Sequence, residues 1–291
     1  LTMGISLGAI WGLTSLFSWG VADYLARIYS IKVGGLRTAF YIRFISLLPP
    51  LLVFPLQAYL GQLYSPIDWS TVLKLGPVLG AVLALGYVSY YRGLEIGSVS
   101  IVSAVTSAWF AVGVILAFIF LGEGLTIYQV LTIAIIAIGI IMLSGMQISM
   151  KGKRTGFEYG LASMFFLGTA TLLFKYLGDA SGPIMTSFLG SLGSVILLWI
   201  WLRISGLKVR LPEKEGLHIL MVAGLLDVGG VLCMIIGLAQ APIFVVASIS
   251  AAHPLVTMSL ALIFLKERLS GVQSIGVILT VAGVISLSAI G

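Results

Sequence analysis

Ten apolar runs, each about as long as a lipid bilayer is thick when coiled as a helix, take up nearly all of this 291-residue chain. They lie near 4–24, 35–59, 71–91, 98–121, 126–146, 157–178, 183–204, 216–238, 243–264 and 270–289. A spanning α-helix needs about 20 mostly apolar residues at about 1.5 Å of rise each. Hydrocarbon offers no partner to a backbone N–H or C=O, so such runs must satisfy their own backbone by coiling into helices. Only 9% of the residues are charged, where soluble domains carry about a quarter. No interval between the runs has room for a soluble domain. The expected fold is an all-α integral membrane protein of ten transmembrane helices. The first run lacks a basic leader and a small-residue cleavage site, so it is expected to be retained rather than removed as a signal peptide.

The net charge of +6 does not point to nucleic acid, because its distribution has another cause. With ten spans, thirteen of the sixteen basic residues fall on one side, among them Arg27, Lys32, Arg37, Lys151, Lys153, Arg154, Lys208 and Lys214. Lys74 and Lys175 lie toward the other side, and Arg43 lies within a span. This is the positive-inside bias, which places the basic loops in the cytoplasm, both termini outside, and the chain in the inner or plasma membrane. The basic residues then meet anionic lipid and need no further macromolecular partner. A single cysteine, Cys233, and two histidines, His218 and His253, do not make a metal site, and no phosphate-binding glycine loop is present. No cofactor is expected, and a monomer suffices for this reading.

The chain repeats itself. "AFIFLGEGLTIYQVLTIAIIAIGIIMLS" (117–144) resembles "ALIFLKERLSGVQSIGVILTVAGVISLS" (261–288) at a constant shift of 144 residues. That register pairs Glu123 with Glu267, Gln129 with Gln273 and Gly139 with Gly283, and it also pairs Gly80, Gly86 and Gly93 with Gly224, Gly230 and Gly237. One register holding across three helices marks a duplication. The expected halves are 1–147 and 157–291, joined by a basic linker at 148–156. Each half has five helices, and five is odd, so the second half enters from the opposite face and is inverted. Inverted repeats recur in secondary transporters, with the solute site near the midplane between the halves.

Three stretches carry a family resemblance: "WGLTSLFSWGVADYLARIYS" in the first span, "LGEGLTIYQVL" after the fourth, and "HPLVTMSLALIFLKERLSGVQSIGVILTVAGVISL" across the last two. On these the chain resembles the EamA type of the drug/metabolite transporter superfamily over essentially its whole length. The most specific part is the leucine–x–glutamate junction that occurs twice. In the second copy it follows Pro254 by thirteen residues, at Glu267; Phe110 stands at the equivalent of Pro254 in the first copy, so no proline marks a kink there. The predicted orientation also departs from many relatives, which are read with cytoplasmic termini. The resemblance implies a ten-helix transporter of a small metabolite, such as an amino acid or related solute. It also implies a central cavity lined by spans one, three, four, six, eight and nine.

Asp227, in "LMVAGLLDVGGVLCMII", is the leading candidate for function. An acid at that depth costs roughly 2.5–3.5 kcal/mol on insertion scales, and intramembrane acids mark functional sites by default. It either titrates or binds a substrate amine in a cavity, or it is half of a structural ion pair. Arg43, in "FYIRFISLL", either binds a substrate carboxylate or neutralises Asp227. In the paired case Asp227 stays ionised and cannot easily carry protons; in the unpaired case burial favours its protonation. Asp23 and Lys175 occupy equivalent places near opposite faces when Tyr24 is set against Tyr176, as gates or as ordinary interfacial charges.

Trp11, Trp109, Tyr87 and Tyr91 are candidate walls of an aromatic cavity, or lipid-facing and interfacial rings. Trp19 shares a face with Trp11. His253, the repeat equivalent of Trp109, is either a proton relay or a satisfied buried histidine. Gly4–Gly8–Gly12 and Gly76–Gly80–Ala84 read as packing seams. Glu123 and Glu267 read as caps of the helices that follow them. The functional expectation is a secondary active transporter, proton-coupled or not, working by alternating access on a small molecule. The alternatives are a membrane-embedded enzyme and a flippase for a lipid-linked substrate. The enzyme lacks a reacting constellation, since the central acid, arginine and histidine lie on separate spans.

Overall fold

A computed structural model describes residues 6–59, 67–96, 102, 105–143, 156–209, 212–264 and 270–290. Glu267, Gly4 and residues 148–155 of the predicted linker lie outside the described residues. The helices are α1 (Leu7–Val33), α2 (Gly35–Tyr59), α3 (Trp69–Ile96), α4 (Trp109–Leu121) and α5 (Ile127–Leu143). They continue as α6 (Phe157–Ile204), α7 (Lys214–Leu238), α8 (Ile243–Ser250), α9 (Pro254–Phe264) and α10 (Gly271–Ile290). No strand occurs among the described residues. Among the described residues, six stretches are long and apolar enough to cross a membrane: α2, α3, α6, α7, α8 with α9, and α10.

Helix boundaries depart from the sequence expectation where the backbone is broken or where polar residues extend a helix. α6 runs for 48 residues and is interrupted at Gly182, whose φ of 77° and ψ of 169° only glycine adopts readily. Pro183 follows, so the expected spans 157–178 and 183–204 meet at this corner. The groups freed by the corner are satisfied locally: Thr186 donates to Gly182 O at 2.8 Å, Ser181 donates to Leu177 O at 2.9 Å, and Asp68 N donates to Ala180 O at 2.9 Å. α1 continues to Val33, past the predicted end at 24, because its polar tail keeps good helix formers.

The stretch 243–264, expected as the ninth span, is broken between α8 and α9. Pro254 lacks an N–H, and Ser250 O is bonded instead by His253 N at 3.1 Å, a three-residue turn in place of the α-helical bond. The fourth span has a similar turn without a proline. There Ala108 N bonds Val105 O at 3.2 Å and Ala111 N bonds Ala108 O at 3.0 Å. Ala108 and Ala252 are equivalent at the 144-residue shift, so both copies loosen at the same place although only one carries proline.

The outer surface is apolar. Leu52, Leu73, Ile119, Phe120, Ile278 and Ile285 are all more than 60% exposed. The interior holds small polar residues, including Ser46, Thr171, Ser187, Ser191 and Ser194. This is the arrangement lipid selects, since helices gain nothing by burying leucine against leucine and associate through small and hydroxyl side chains. α3 lies along α6 over much of its length. A Cβ placed on Gly80 would come within 2.5 Å of Gly193 Cα, so the two backbones touch. Gly76 meets Leu189 and Gly12 meets Ile249, which makes the predicted ladders seams at these positions. The two S/T-x-x-Q stretches cap their helices in the same way: Thr126 and Gln129 bond reciprocally ahead of α5, as do Ser270 and Gln273 ahead of α10.

Candidate functional site

Helical spacing aligns polar and aromatic residues along the inner faces. Arg43 and Ser46 are one turn apart on α2, Ser191 and Ser194 on α6, and Trp19 and Asp23 on α1. Leu83, Tyr87 and Tyr90 line one stripe of α3, and Asp227, Val231 and Met234 line one stripe of α7.

These stripes converge on a cavity of about 170 Å³. Trp109, Thr106 and Ser107 come to it from the fourth span, Thr171 and Phe174 from α6, and His253 from the α8–α9 turn. Four pairs related by the 144-residue shift line the same space: Leu83 with Asp227, Tyr87 with Val231, Tyr90 with Met234, and Trp109 with His253. Trp19 stands between the last pair. Its ring is 6.2 Å from that of Trp109 and 6.1 Å from that of His253, edge-to-face in both contacts.

The predicted deep charges meet. Arg43 Nη1 donates to Asp227 Oδ2 at 2.6 Å, and the two side chains are 3% and 13% exposed. Arg43 Nη2 donates to Ser191 Oγ and Nε to Ser194 Oγ, both at 3.3 Å. Its guanidinium lies 5.3 Å from the Tyr87 ring centroid. The Ser46 hydroxyl has one proton and three acceptors in reach: Asp227 Oδ2 and Ile42 O at 2.8 Å, and Gly224 O at 3.0 Å. Trp19 Nε1 donates to Asp227 O at 3.2 Å. Of the two arrangements left open by the sequence, the structure holds the paired one. The pair ties α2, α6 and α7 together, and every nitrogen of Arg43 is engaged.

The second charged feature was less legible. His253 Nδ1 lies 2.9 Å from Asp23 Oδ2 but is not aligned for a hydrogen bond, and no other partner reaches it among the described residues. The Asp23 side chain is half exposed and lines the cavity. Thr106 Oγ1 is buried and has no partner among the described residues.

Two predicted site residues stand apart. Trp11 does not line the cavity; its Cβ faces Gly237 on α7. Lys175 does not line it either, and pairs with Asp179 one turn along its own helix at 3.0 Å. Asp23 and Lys175 thus occupy equivalent sequence positions in different settings. Glu123 also differs from its expected role. Both of its carboxylate oxygens accept from Ile243 N at 3.0 Å, so it caps α8 in the other half rather than α5, whose cap is supplied by Thr126 and Gln129. Sequence reasoning passed over Trp19, Tyr90, Thr106 and Phe174 as site residues. The signal for Trp19 was its i−4 spacing to Asp23.

Comparison with known proteins fits this arrangement. The EamA-like transporter family profile matches residues 6–145 and again 154–289. An uncharacterized transporter of Archaeoglobus fulgidus is 25% identical over 206 residues, covering 70% of this chain and 71% of its own. An uncharacterized protein of Methanocaldococcus jannaschii is 26% identical over 134 residues, covering 46% of this chain and 96% of its own. A solved crystal structure superposes with a TM-score of 0.75 at 16% identity, covering 95% of this chain and 94% of its own, which is a likeness of fold. With apolar spanning helices, a polar interior and a family profile matched twice, the chain is an integral membrane protein of the EamA-like transporter family, within the drug/metabolite transporter superfamily.

Proposed function

We propose that this protein is a secondary transporter of a small solute, working by alternating access around the central cavity. The observation that carries this reading is the cavity wall, in which four repeat-equivalent positions from the two halves face one space. That placement supports ten spans arranged as two inverted five-helix halves, 1–147 and 157–291, that rock against each other about a midplane site. Transport follows a gradient, the solute's own or that of protons, and the membrane is the inner or plasma membrane with the basic loops cytoplasmic. The Arg43–Asp227 pair is the fixed part of the site, since its groups are already matched. Trp109, Tyr87, Tyr91, Asp23 and His253 are the solute-facing part, and any proton coupling falls to His253 and Asp23.

The test needs no knowledge of the solute. Ser107→Cys, in a chain carrying Cys233→Ser, places an isosteric thiol in the cavity wall. In sealed vesicles of known orientation, a membrane-impermeant maleimide is expected to label this thiol from either side. Labelling from one side only, under every condition, overturns alternating access.

A further inference from the structure

The cavity is rich in aromatic faces and uneven in charge. Among the described residues Arg43 is its single lining guanidinium or ammonium group, nearly fully buried and with all three nitrogens engaged. Among the described residues no lining arginine or lysine is therefore left to receive a carboxylate or phosphate. The lining carboxylates are Asp227, neutralised by Arg43, and Asp23, which is half exposed and whose neighbour is a histidine. Trp19, Trp109 and Tyr91 stand around the same space, and the electron-rich faces of such rings attract ammonium groups. The cavity, about 170 Å³, is below the roughly 300–1,000 Å³ of pockets for drug-sized ligands. The Thr106 hydroxyl, without a partner among the described residues, supplies one more polar contact.

We propose that the solute is a small organic cation, a primary or quaternary amine with an apolar body, whose charged group is received by Asp23, and that protonated His253 competes for that same carboxylate. This rests on the transporter reading of the cavity. When His253 is neutral, Asp23 is open to the amine. When His253 takes a proton, the 2.9 Å approach becomes an ion pair and the carboxylate is occupied. Solute and proton thus exclude each other, which is the requirement for exchanging one against the other across a membrane.

The other groups around His253 do not supply a rival switch. α1 contributes Asp23, with Arg27 one turn beyond it; α2 contributes Arg43; α3 contributes Tyr87, Tyr90 and Tyr91; α7 contributes Asp227. α4, α5, α9 and α10 carry no charged residue, and neither Thr171 nor Phe174 of α6 brings a charge to the cavity.

Thermal stabilisation of the purified full-length protein tests the proposal with three probes: phenethylamine, tetramethylammonium, whose charge does not titrate, and phenylacetate. The amines are expected to raise the melting temperature of the wild type and phenylacetate to leave it unchanged. The amine shift should weaken several-fold in concentration dependence between about pH 8 and about pH 5, the range over which histidine changes charge. Asp23→Asn should melt cooperatively and lose the amine shift, and Asp23→Glu should restore part of it. In His253→Gln the amine shift, whatever its size, should be the same at both pH values.

Stabilisation by phenylacetate in place of the amines, no stabilisation by either amine, an unchanged response in Asp23→Asn, or an intact pH response in His253→Gln overturns the proposal. Two-sided labelling of Ser107→Cys together with any of these results removes the amine alone and leaves the transporter reading standing.

Discussion

Removing one member of a buried ion pair leaves its partner charged, unmatched and out of water, at a cost of about 3–5 kcal/mol. Arg43→Met and Asp227→Leu should each destabilise the fold by about that amount, read as a fall in melting temperature, since both side chains are less than one-seventh exposed. The double variant should recover much of the loss, because the attraction between buried charges often does little more than offset their desolvation. A loss in the double variant equal to the sum of the two single losses would show that Arg43 and Asp227 act independently. Both residues stood out in the sequence as charges within apolar runs. Their partnership did not, since 184 residues separate them and nothing local records the distance. Ser191 and Ser194, which complete the Arg43 shell, look like any other small residues of a membrane helix.

At the scale of elements, contact between backbones sets the tolerance to change. A Cβ at Gly80 would fall 2.5 Å from Gly193 Cα, so neither backbone can give way by rotating a side chain. Gly80→Ala should destabilise by about 1–3 kcal/mol, read as a fall in melting temperature in detergent. Gly124→Ala is the control, with nothing within 4 Å of its added carbon, and should stay within about 0.5 kcal/mol of the wild type. Equal effects at the two positions would mean that α3 and α6 do not meet along this seam. The breaks belong to the same scale. Pro254 announces one, but Ala108 carries its counterpart with no residue to mark it.

At the scale of the whole molecule, the proposed orientation rests on thirteen basic residues that share one side of the ten expected spans. Single cysteines in a Cys233→Ser background test it at two exposed positions. In intact cells an impermeant maleimide should label Gln240→Cys, in the α7–α8 connection, and spare Lys208→Cys, in the α6–α7 connection. The reverse pattern would invert the orientation, and labelling at both would remove a span. The Glu123–Ile243 contact belongs to this scale as well, since a carboxylate of the first half caps a helix of the second. It joins the two stretches matched by the family profile at this point.

Hydropathy alone established that the chain coils into membrane helices, because unsatisfied backbone in hydrocarbon leaves no other choice for runs of this length. The 144-residue register and the two capping boxes were equally local, being fixed spacings that any copy of the motif carries. Convergence was not local. Trp109 and His253 are equivalent in the repeat, but only packing brings both rings against Trp19, sets His253 beside Asp23, and commits Arg43 to Asp227 instead of to a solute. Helical periodicity fixes which face of its own helix a side chain takes, while the neighbour across that face depends on how distant helices stack.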